Sequence, residues 1–538
     1  MLRAGATATS VAPDTAVMRN PLRFIKLPNI IRLVTIGSSL ALAAASTLAA
    51  GAFASEPRYA LAHHPVSTGQ PAAQLEFDQG LTLLYAFNPE EATFHFQQAV
   101  RADPKLAMAY WGIALAAGPN VNTAYDLQRV NIGREAIAAY RAPSAHANDE
   151  ERGYVDALAA RYAVANAAQI PGAQIAYANA MGDLSRRFSG DLDAKTLYAE
   201  SLMDLTPLHM WHRDGSPNRY TRQVLALLED VLHRDPNQLG ANHYLIHAYE
   251  DSPTPQAALR AAQHLTNLPL PPGAEHLAHM PAHIFMRTGD YDAAIRSSLR
   301  SVAMFKSYLG QQHSDVHNGY YHHDLQVLDY AYMMSGQWSK AREVAGAVAS
   351  QVNDNGAAVE TYLRFRRWRE VLALPAPAQP GLRWRWAQGM AQAGTHDLGG
   401  ASATLAWLSS LHDNDPRTGI ARSLLTASLD EAAHRDDHAI VELRNAVALE
   451  DGLASKEPPP WYYPIRESLG ARLALAGRYG DAQRVFEEDL RRNPGNPRSL
   501  FGLARVLAKT DPAKAPGVEA SFRRAWRHAD EPLSLESL

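Results

Sequence analysis

Apolar residues recur at helical spacing along nearly the whole chain, and this pattern constrains the fold more than any other feature. The clearest unit reads LGARLALAGRYGDAQRVFEEDLRRNPGN. In it, small Gly470 and Ala482 let two helices approach, Tyr479 and Phe486 are predicted to fill the seam, and Pro494 ends the second helix. Such a hairpin buries its apolar face only against neighbouring hairpins, so the sequence predicts an all-α stack of helical hairpins.

Similar units precede this one. They are marked by Gly80, Ala92, Phe96, Ala99 and Pro104, by Gly289, Tyr291 and Ala294, and by Gly336, Trp338 and Ala341. The spacings match a repeat of about 34 residues with insertions. Asp489 departs from the pattern, because it stands where the first unit has Ala99.

The first 54 residues are predicted to be an export signal. A basic stretch precedes an apolar run over 33–53, and Ala52 and Ala54 place small residues where a signal peptidase reads. We expect cleavage after Ala54 and a periplasmic or secreted mature chain. The alternative is an uncleaved anchor, since about 20 apolar residues can just span a bilayer. No later segment is long and apolar enough to cross a membrane, so no stable span is expected after cleavage.

Proline-rich segments divide the rest of the chain. Residues 55–72 are predicted to be loose, 73–372 to form an N-terminal lobe, 373–381 (ALPAPAQPG) to be a linker, and 382–538 to form a C-terminal lobe. A second segment, EPPPWYYP, is predicted to be a rigid entry into the following helix. The alternative is an aromatic platform for a ligand made by Trp461, Tyr462 and Tyr463.

Charge and cysteine content exclude several classes of function. The formal net charge is −4, which argues against a nucleic-acid partner. The chain contains no cysteine, so it has no disulfide, no thiolate nucleophile and no cysteine-ligated metal. Any metal must be held by His, Asp, Glu, backbone or water.

Histidines concentrate in one part of the chain: ten of the 22 lie between His243 and His323. In NHYLIHAYE, His243, His247 and Glu250 occupy positions i, i+4 and i+7, which lie on one face of a helix. Two imidazoles and a carboxylate suit a divalent transition metal such as Zn, Fe or Cu. Glu250 would be a ligand, or the general base if the protein is an enzyme.

A second pair, His279 and His283, follows in EHLAHMPAH. Pro281 complicates it, because a proline disfavours helical geometry at Met280 and usually marks a first turn or a kink. First helices of adjacent hairpins lie side by side, so the two pairs can converge. The predicted metal ligands are His243, His247, Glu250, His279, His283 and, from the next hairpin, His322. The alternatives are an apo groove for peptides and a purely structural role.

The segments AMAYWGIALAAGPNVN, NHYLIHAYE, HMPAHIFMRTGDY and EPPPWYYPIRESLGA occur in that order. In this the chain resembles a bacterial family of tetratricopeptide-repeat (TPR) proteins that carries NHYxIHxxE, HMPAH and EPPPWYYP motifs. The resemblance covers nearly the whole mature chain and implies a TPR-like α-solenoid, but no particular reaction. One departure is Pro89, at a position where members often carry His.

Two functions remain open on the sequence. The first is an interaction scaffold that binds a protein or peptide in its concave face, with a His-rich cavity able to hold a metal. The second is a metal-dependent hydrolase or oxidoreductase that uses the histidine cluster. No Gly-rich phosphate loop or GxSxG elbow is present in the sequence, which argues against the common nucleotide-dependent and serine-hydrolase mechanisms.

Overall fold

The computed structural model describes residues 61–538, apart from 141–146, 208, 310–317, 353, 355, 357 and 455. The predicted signal therefore lies outside the described residues. Within them the protein is all-α, with no strand beyond two isolated bridges. The helices of the first part are α1 Pro71–Tyr85, α2 Pro89–Ala102, α3 Ala107–Ala116, α4 Val130–Tyr140, α5 Asp149–Arg161, α6 Ile170–Arg187, α7 Leu192–Met203, α8 Thr221–Arg234, α9 Leu239–Tyr249, α10 Leu259–Asn267, α11 Glu275–His279, α12 Pro281–Thr288, α13 Tyr291–Tyr308 and α14 Asn318–Met334.

The remaining helices continue the same arrangement. They are α15 Trp338–Val352, α16 Val359–Arg364, α17 Trp368–Ala373, α18 Leu382–Gly394, α19 Leu398–Ser410, α20 Pro416–Ala432, α21 Asp436–Glu450, α22 Arg466–Leu475, α23 Tyr479–Arg492, α24 Pro497–Thr510 and α25 Ala515–Ala525. Consecutive helices pair, and first helices of adjacent pairs lie side by side, as α1 with α3, α16 with α18, α18 with α20 and α22 with α24. The predicted fold class, a TPR-like α-solenoid, is confirmed. None of the described helices is both long and apolar enough to cross a membrane.

The seam of the opening repeat explains its small residues. Phe96 is fully buried between α1 and α3. A Cβ atom at Gly80 would lie 2.7 Å from the Phe96 ring, and one at Gly112 would lie 2.5 Å from it. Since real Cβ atoms do not approach that closely, glycine at both positions is what admits the ring.

The late repeat has the same seam. Phe486 is fully buried, and a Cβ atom would lie 2.6 Å from its ring at Gly470 and 2.1 Å from it at Gly502. The prediction for Phe486 is thus confirmed. The prediction for Tyr479 is wrong: its side chain is exposed at the start of α23, where it faces away from the seam.

The departure at Asp489 has a structural reason. Its buried carboxylate accepts hydrogen bonds from the Ser499 hydroxyl at 2.6 Å and from the side-chain amides of Asn496 at 2.7 Å and Asn493 at 2.9 Å. Asp489, which stands where the opening repeat has Ala99, therefore links α23 to the start of α24.

Two segments predicted to be a loose segment and a linker lie beside helices that pack closely in the structure. Residues 61–70, assigned to a loose segment, lie against α1, where the backbone N–H groups of Leu61 and Ala62 donate to the Thr82 hydroxyl. Helices α17 and α18 pack directly across the linker 373–381. The division into two lobes stays a prediction, and "N-terminal lobe" and "C-terminal lobe" below mean residues 73–372 and 382–538.

Helix α9 occupies the centre of the N-terminal lobe, and every one of its residues is buried. It contacts α7, α12 and, from far along the chain, α1. The contact with α1 is close, because a Cβ atom at Gly240 would lie 2.5 Å from the Tyr85 ring. The opening hairpin thus closes over the histidine-bearing helix.

Candidate metal centre

The first predicted histidine pair lies on α9 as expected. The Nε2 atoms of His243 and His247 are 3.1 Å apart, and the two residues are 0% and 5% exposed. Their Nδ1 atoms point away from each other: His243 Nδ1 is 2.7 Å from the carbonyl oxygen of Tyr85, and His247 Nδ1 is 3.1 Å from Glu250 Oε1. Both Nδ1 atoms therefore face acceptors, and the two Nε2 atoms face each other.

The second pair converges despite Pro281. Helix α11 ends at His279, Met280 is itself helical (φ −50°, ψ −38°), and Pro281 begins α12. The i, i+4 relation is kept, and the Nε2 atoms of His279 and His283 are 2.7 Å apart. Pro281 marks a first turn, as expected, but Met280 keeps helical dihedral angles although a following proline disfavours them.

Each pair gains a third histidine from another helix. His276 of α11 joins His243 and His247, and His323 of α14 joins His279 and His283; within each group the ligand nitrogens lie within 4.8 Å of one another. We call these groups the first and second triad. Both ring nitrogens of His276 are buried without a hydrogen-bond partner. His276 was not among the predicted ligands.

His323 takes the place predicted for His322. Successive residues of a helix point about 100° apart, so only one of the two neighbours on α14 can face α11 and α12. The ring of His323 lies 4.8 Å from that of His279 between centroids, whereas His322 belongs to neither triad.

Carboxylates stand behind the rings. Glu250 Oε2 is 2.7 Å from His283 Nδ1, so this carboxylate contacts one ring of each triad, and Asp324 Oδ1 is 3.1 Å from His279 Nδ1. The contacts of His283 with Glu250 and of His279 with Asp324 are at ion-pair distance, but their angles do not meet those of a hydrogen bond. Carboxylates behind the outer nitrogens orient metal-binding imidazoles in proteins. Glu250, predicted as a ligand or base, lies here as a partner of the ligands.

Phe87 covers the first triad. Its ring centroid lies 4.4 Å from that of His243, 5.6 Å from that of His247 and 5.4 Å from that of His276. The backbone of Phe87 is left-handed, with φ of 55°, a conformation that costs free energy for a residue with a side chain. The turn after α1 thus holds a strained residue against three histidines, and no local sequence signal indicated this.

Burial controls the charge of the site. It lowers the pKa values of His243, His276 and His279 well below the ordinary range, with the neighbouring imidazoles acting in the same direction. His283 differs, because the charge of Glu250 outweighs burial and raises its pKa to about 9. Without metal, His283 therefore carries a proton that it can donate to His279.

The segment EPPPWYYP reaches this site from the C-terminal part of the chain. Burial raises the pKa of Glu457 to about 7, and its carboxyl interacts electrostatically with His283 and Glu250. Its Oε1 atom is buried without a hydrogen-bond partner. Trp461, Tyr462 and Tyr463 are all buried, as the rigid-entry interpretation expects.

The space beside the triads is small. A cavity of about 10 Å³, lined by Val121, Met203, Met210, His247, Glu250 and Asp251, adjoins the first triad. That volume suits about one water molecule. Among the described residues, this cavity beside His247 has no room for a peptide.

A third group, His64, Asp191 and Asp193, is a hydrogen-bonded clasp. Asp193 receives His64 Nδ1 at 3.0 Å, the Tyr85 hydroxyl at 2.6 Å and the Gln238 amide at 2.9 Å. Asp191 caps α7 and accepts from Tyr154. These groups are satisfied by protein partners, so the clasp fastens residues 61–70 to the lobe.

Comparisons with known proteins show no match to a protein-family model or to a curated protein. Solved structures with similar helical arrangement include Cut9–Hcn1 of the APC/C (13% identity, 87% of this chain and 76% of that chain, TM-score 0.28), yeast Tom70 (11%, 85% and 92%, TM-score 0.24) and the TPR domain of P58(IPK) (13%, 82% and 99%, TM-score 0.19). The fold assignment rests on the helix packing described above.

Proposed function

We propose that this helical-repeat protein binds transition-metal ions with the buried histidines of its N-terminal lobe. The observation that carries the proposal is the His243–His247 pair. The two Nε2 atoms lie 3.1 Å apart in a buried position, while both Nδ1 atoms face acceptors. A cation between the two nitrogens can bind to both.

The donor set indicates the class of metal. The chain has no cysteine, and imidazole nitrogen suits Zn, Cu, Fe and Ni. Metal bound here would act as a Lewis acid or lower the pKa of a bound water. Glu250 and Asp324 would hold the imidazoles in orientation, and Phe87 would exclude water from one side. Hydrolysis and oxidation remain alternative uses of such a centre.

The test is the metal content of the chain purified without an affinity tag. We expect near-stoichiometric metal after purification or after reconstitution with Zn, Cu, Fe or Ni, and its loss in the double variant His243→Ala plus His283→Ala. The matched control is His412→Ala, an exposed histidine in the C-terminal lobe, which should keep the metal. No binding of any of the four metals by the unmodified chain would contradict the proposal.

A scaffold function is the second candidate, and a different cavity favours it. A space of about 390 Å³ in the C-terminal part is lined by Trp384, Trp386, Trp461, Arg383 and Arg417 among others. The indole N–H groups of Trp386 and Trp461 are buried without a hydrogen-bond partner. The cavity is lined by aromatic and cationic side chains that suit a peptide, so we propose protein or peptide binding there. Loss of partner capture in Trp461→Ala, with metal content unchanged, would support this placement.

We further propose that the mature chain is exported, on the strength of its N-terminal sequence. Secreted or periplasmic material should begin at Ser55. Retention of the complete chain in the cytoplasm would contradict export.

A further inference from the structure

The six histidines form two separate three-nitrogen sites. Each triad combines an i, i+4 pair with one histidine from elsewhere, and the triads share no member. Three nitrogens bound to one ion at about 2.0–2.1 Å lie roughly 3.4–3.6 Å apart. Since the nitrogens of each triad already lie within 4.8 Å of one another, each triad needs only small side-chain movements to close on an ion.

The two sites are adjacent. The rings of His276 and His279 are 6.0 Å apart between centroids, and those of His247 and His283 are 6.4 Å apart. Glu250 links them, with Oε1 3.1 Å from His247 Nδ1 and Oε2 2.7 Å from His283 Nδ1. One carboxylate therefore fixes a ring of each site in relation to the other.

Acidic groups accompany the triads. Glu250 and Asp324 contact triad histidines, and Glu457 interacts electrostatically with His283. Buried charge is stable only where opposite charge accompanies it, so these carboxyl groups can offset the charge of cations bound at the triads.

Access to the sites is restricted. Phe87 covers the first triad on one side, and the Tyr320 ring lies 4.7 Å from that of His276. The cavity at His247 and Glu250 has room for about one water molecule between Val121, Met203 and Met210.

We propose that the two triads hold two transition-metal ions side by side, and that the reactant admitted to them is of the size of water, dioxygen or a triatomic anion. The inference rests on the proposed metal-binding function and extends it to the number of ions and the size class of the ligand.

The number of metal ions bound per chain tests the two-ion centre. The untagged chain, stripped with a chelator, is titrated with Cu(II) or Zn(II), and bound metal is counted after gel filtration. We expect two ions per chain, one in His276→Ala and one in His323→Ala, and two in the control His412→Ala. Circular dichroism confirms folding, and His276→Gln and His323→Gln serve if an alanine variant fails to fold.

The outcomes separate the two proposals. One ion in the unmodified chain and none in either variant would overturn the two-ion centre while leaving metal binding intact. No ion in any variant, including the unmodified chain, would overturn both. One ion in the unmodified chain that survives in one of the two variants would assign a single site to the other triad and also overturn the two-ion centre.

The response to ligands of different size tests the size limit on the reactant. Azide added to the Cu(II)-loaded chain should change its visible absorption spectrum, whereas free imidazole, which is bulkier, should not. Val121→Phe should fill the cavity, keep both ions and abolish the azide response. Equal responses to azide and imidazole, or an azide response that persists in Val121→Phe, would overturn the size limit.

Discussion

The two parts of the molecule each bury a polar cluster, and they treat its hydrogen bonds differently. Near the C-terminal repeats, Glu467 accepts from Arg364 Nη1 at 2.6 Å and Nη2 at 2.9 Å, and from the Asn496 amide at 2.8 Å. In the N-terminal lobe, by contrast, both nitrogens of His276 lack a partner. A carboxylate whose two oxygens both have buried donors is structural, whereas a buried imidazole with neither nitrogen partnered indicates a missing ligand.

The largest expected effect comes from breaking the buried ion pair of Glu467 and Arg364. Glu467→Ala leaves the buried guanidinium of Arg364 without its carboxylate, and removal of one partner from a buried pair costs about 3–5 kcal/mol. Denaturant unfolding would measure this. Asp183→Ala, which breaks an exposed pair with Arg186, should cost less than about 0.5 kcal/mol. Similar losses in both variants would remove the distinction between structural and surface ion pairs.

The repeat seams should respond alike in the two regions. Gly112→Ala and Gly502→Ala each force a Cβ atom into a buried phenylalanine ring, and we expect a loss near the upper end of the range for overpacking, about 3 kcal/mol, in each. Gly480→Ala is the control, because a Cβ atom there meets nothing within 4 Å. Thermal unfolding is the measurement. A harmless Gly112→Ala would mean that the opening hairpin is packed less tightly than the late one.

Metal should raise the free energy of unfolding only where the histidine triads are intact, and the Glu467 ion pair should not affect this gain. At a free metal concentration of 100 times the Kd, each bound ion adds about 2.7 kcal/mol to the free energy of unfolding. Because the hydrogen bonds of Glu467 go to Arg364 and Asn496 and not to a triad histidine, Glu467→Ala should show the same gain, whereas His243→Ala plus His283→Ala should show none. Unfolding with and without Zn(II) at fixed pH checks this. An equal gain in the double histidine variant would place the metal elsewhere.

The smallest effect concerns a residue behind the ligands. Asp324→Asn keeps the shape of the side chain but weakens its hold on His279, and loss of such a partner costs about 10–100-fold in metal affinity, or about 1.4–2.7 kcal/mol. Asp329→Asn is the matched control, since Asp329 lies on the same helix but accepts from Thr361. A metal titration measures both. Unchanged affinity in Asp324→Asn would deny Asp324 its positioning role.

Local patterns predicted much of this structure. The small and aromatic positions of the repeats follow from pairwise helix packing, and the face shared by His243 and His247 follows from helical periodicity. The sequence could not choose between His322 and His323, because that choice depends on the rotation of α14 against α11. It could not place Phe87 or the Tyr85 carbonyl at the site either, since both arrive through the contact of α1 with α9, distant in the chain. Two residues depart from the local pattern. Asp489 is accommodated by hydrogen bonds to Ser499 and Asn496, and Pro281 stands in the first turn of α12.

The most direct test is the anomalous scattering of a crystal of the untagged chain soaked in Zn(II) or Cu(II), recorded at the metal absorption edge. The account predicts two peaks, one among His243, His247 and His276 and one among His279, His283 and His323, each about 2.0–2.1 Å from three imidazole nitrogens. A crystal with no peak at either triad, or with peaks only at surface histidines, would contradict the central claim that this lobe is built around a metal centre.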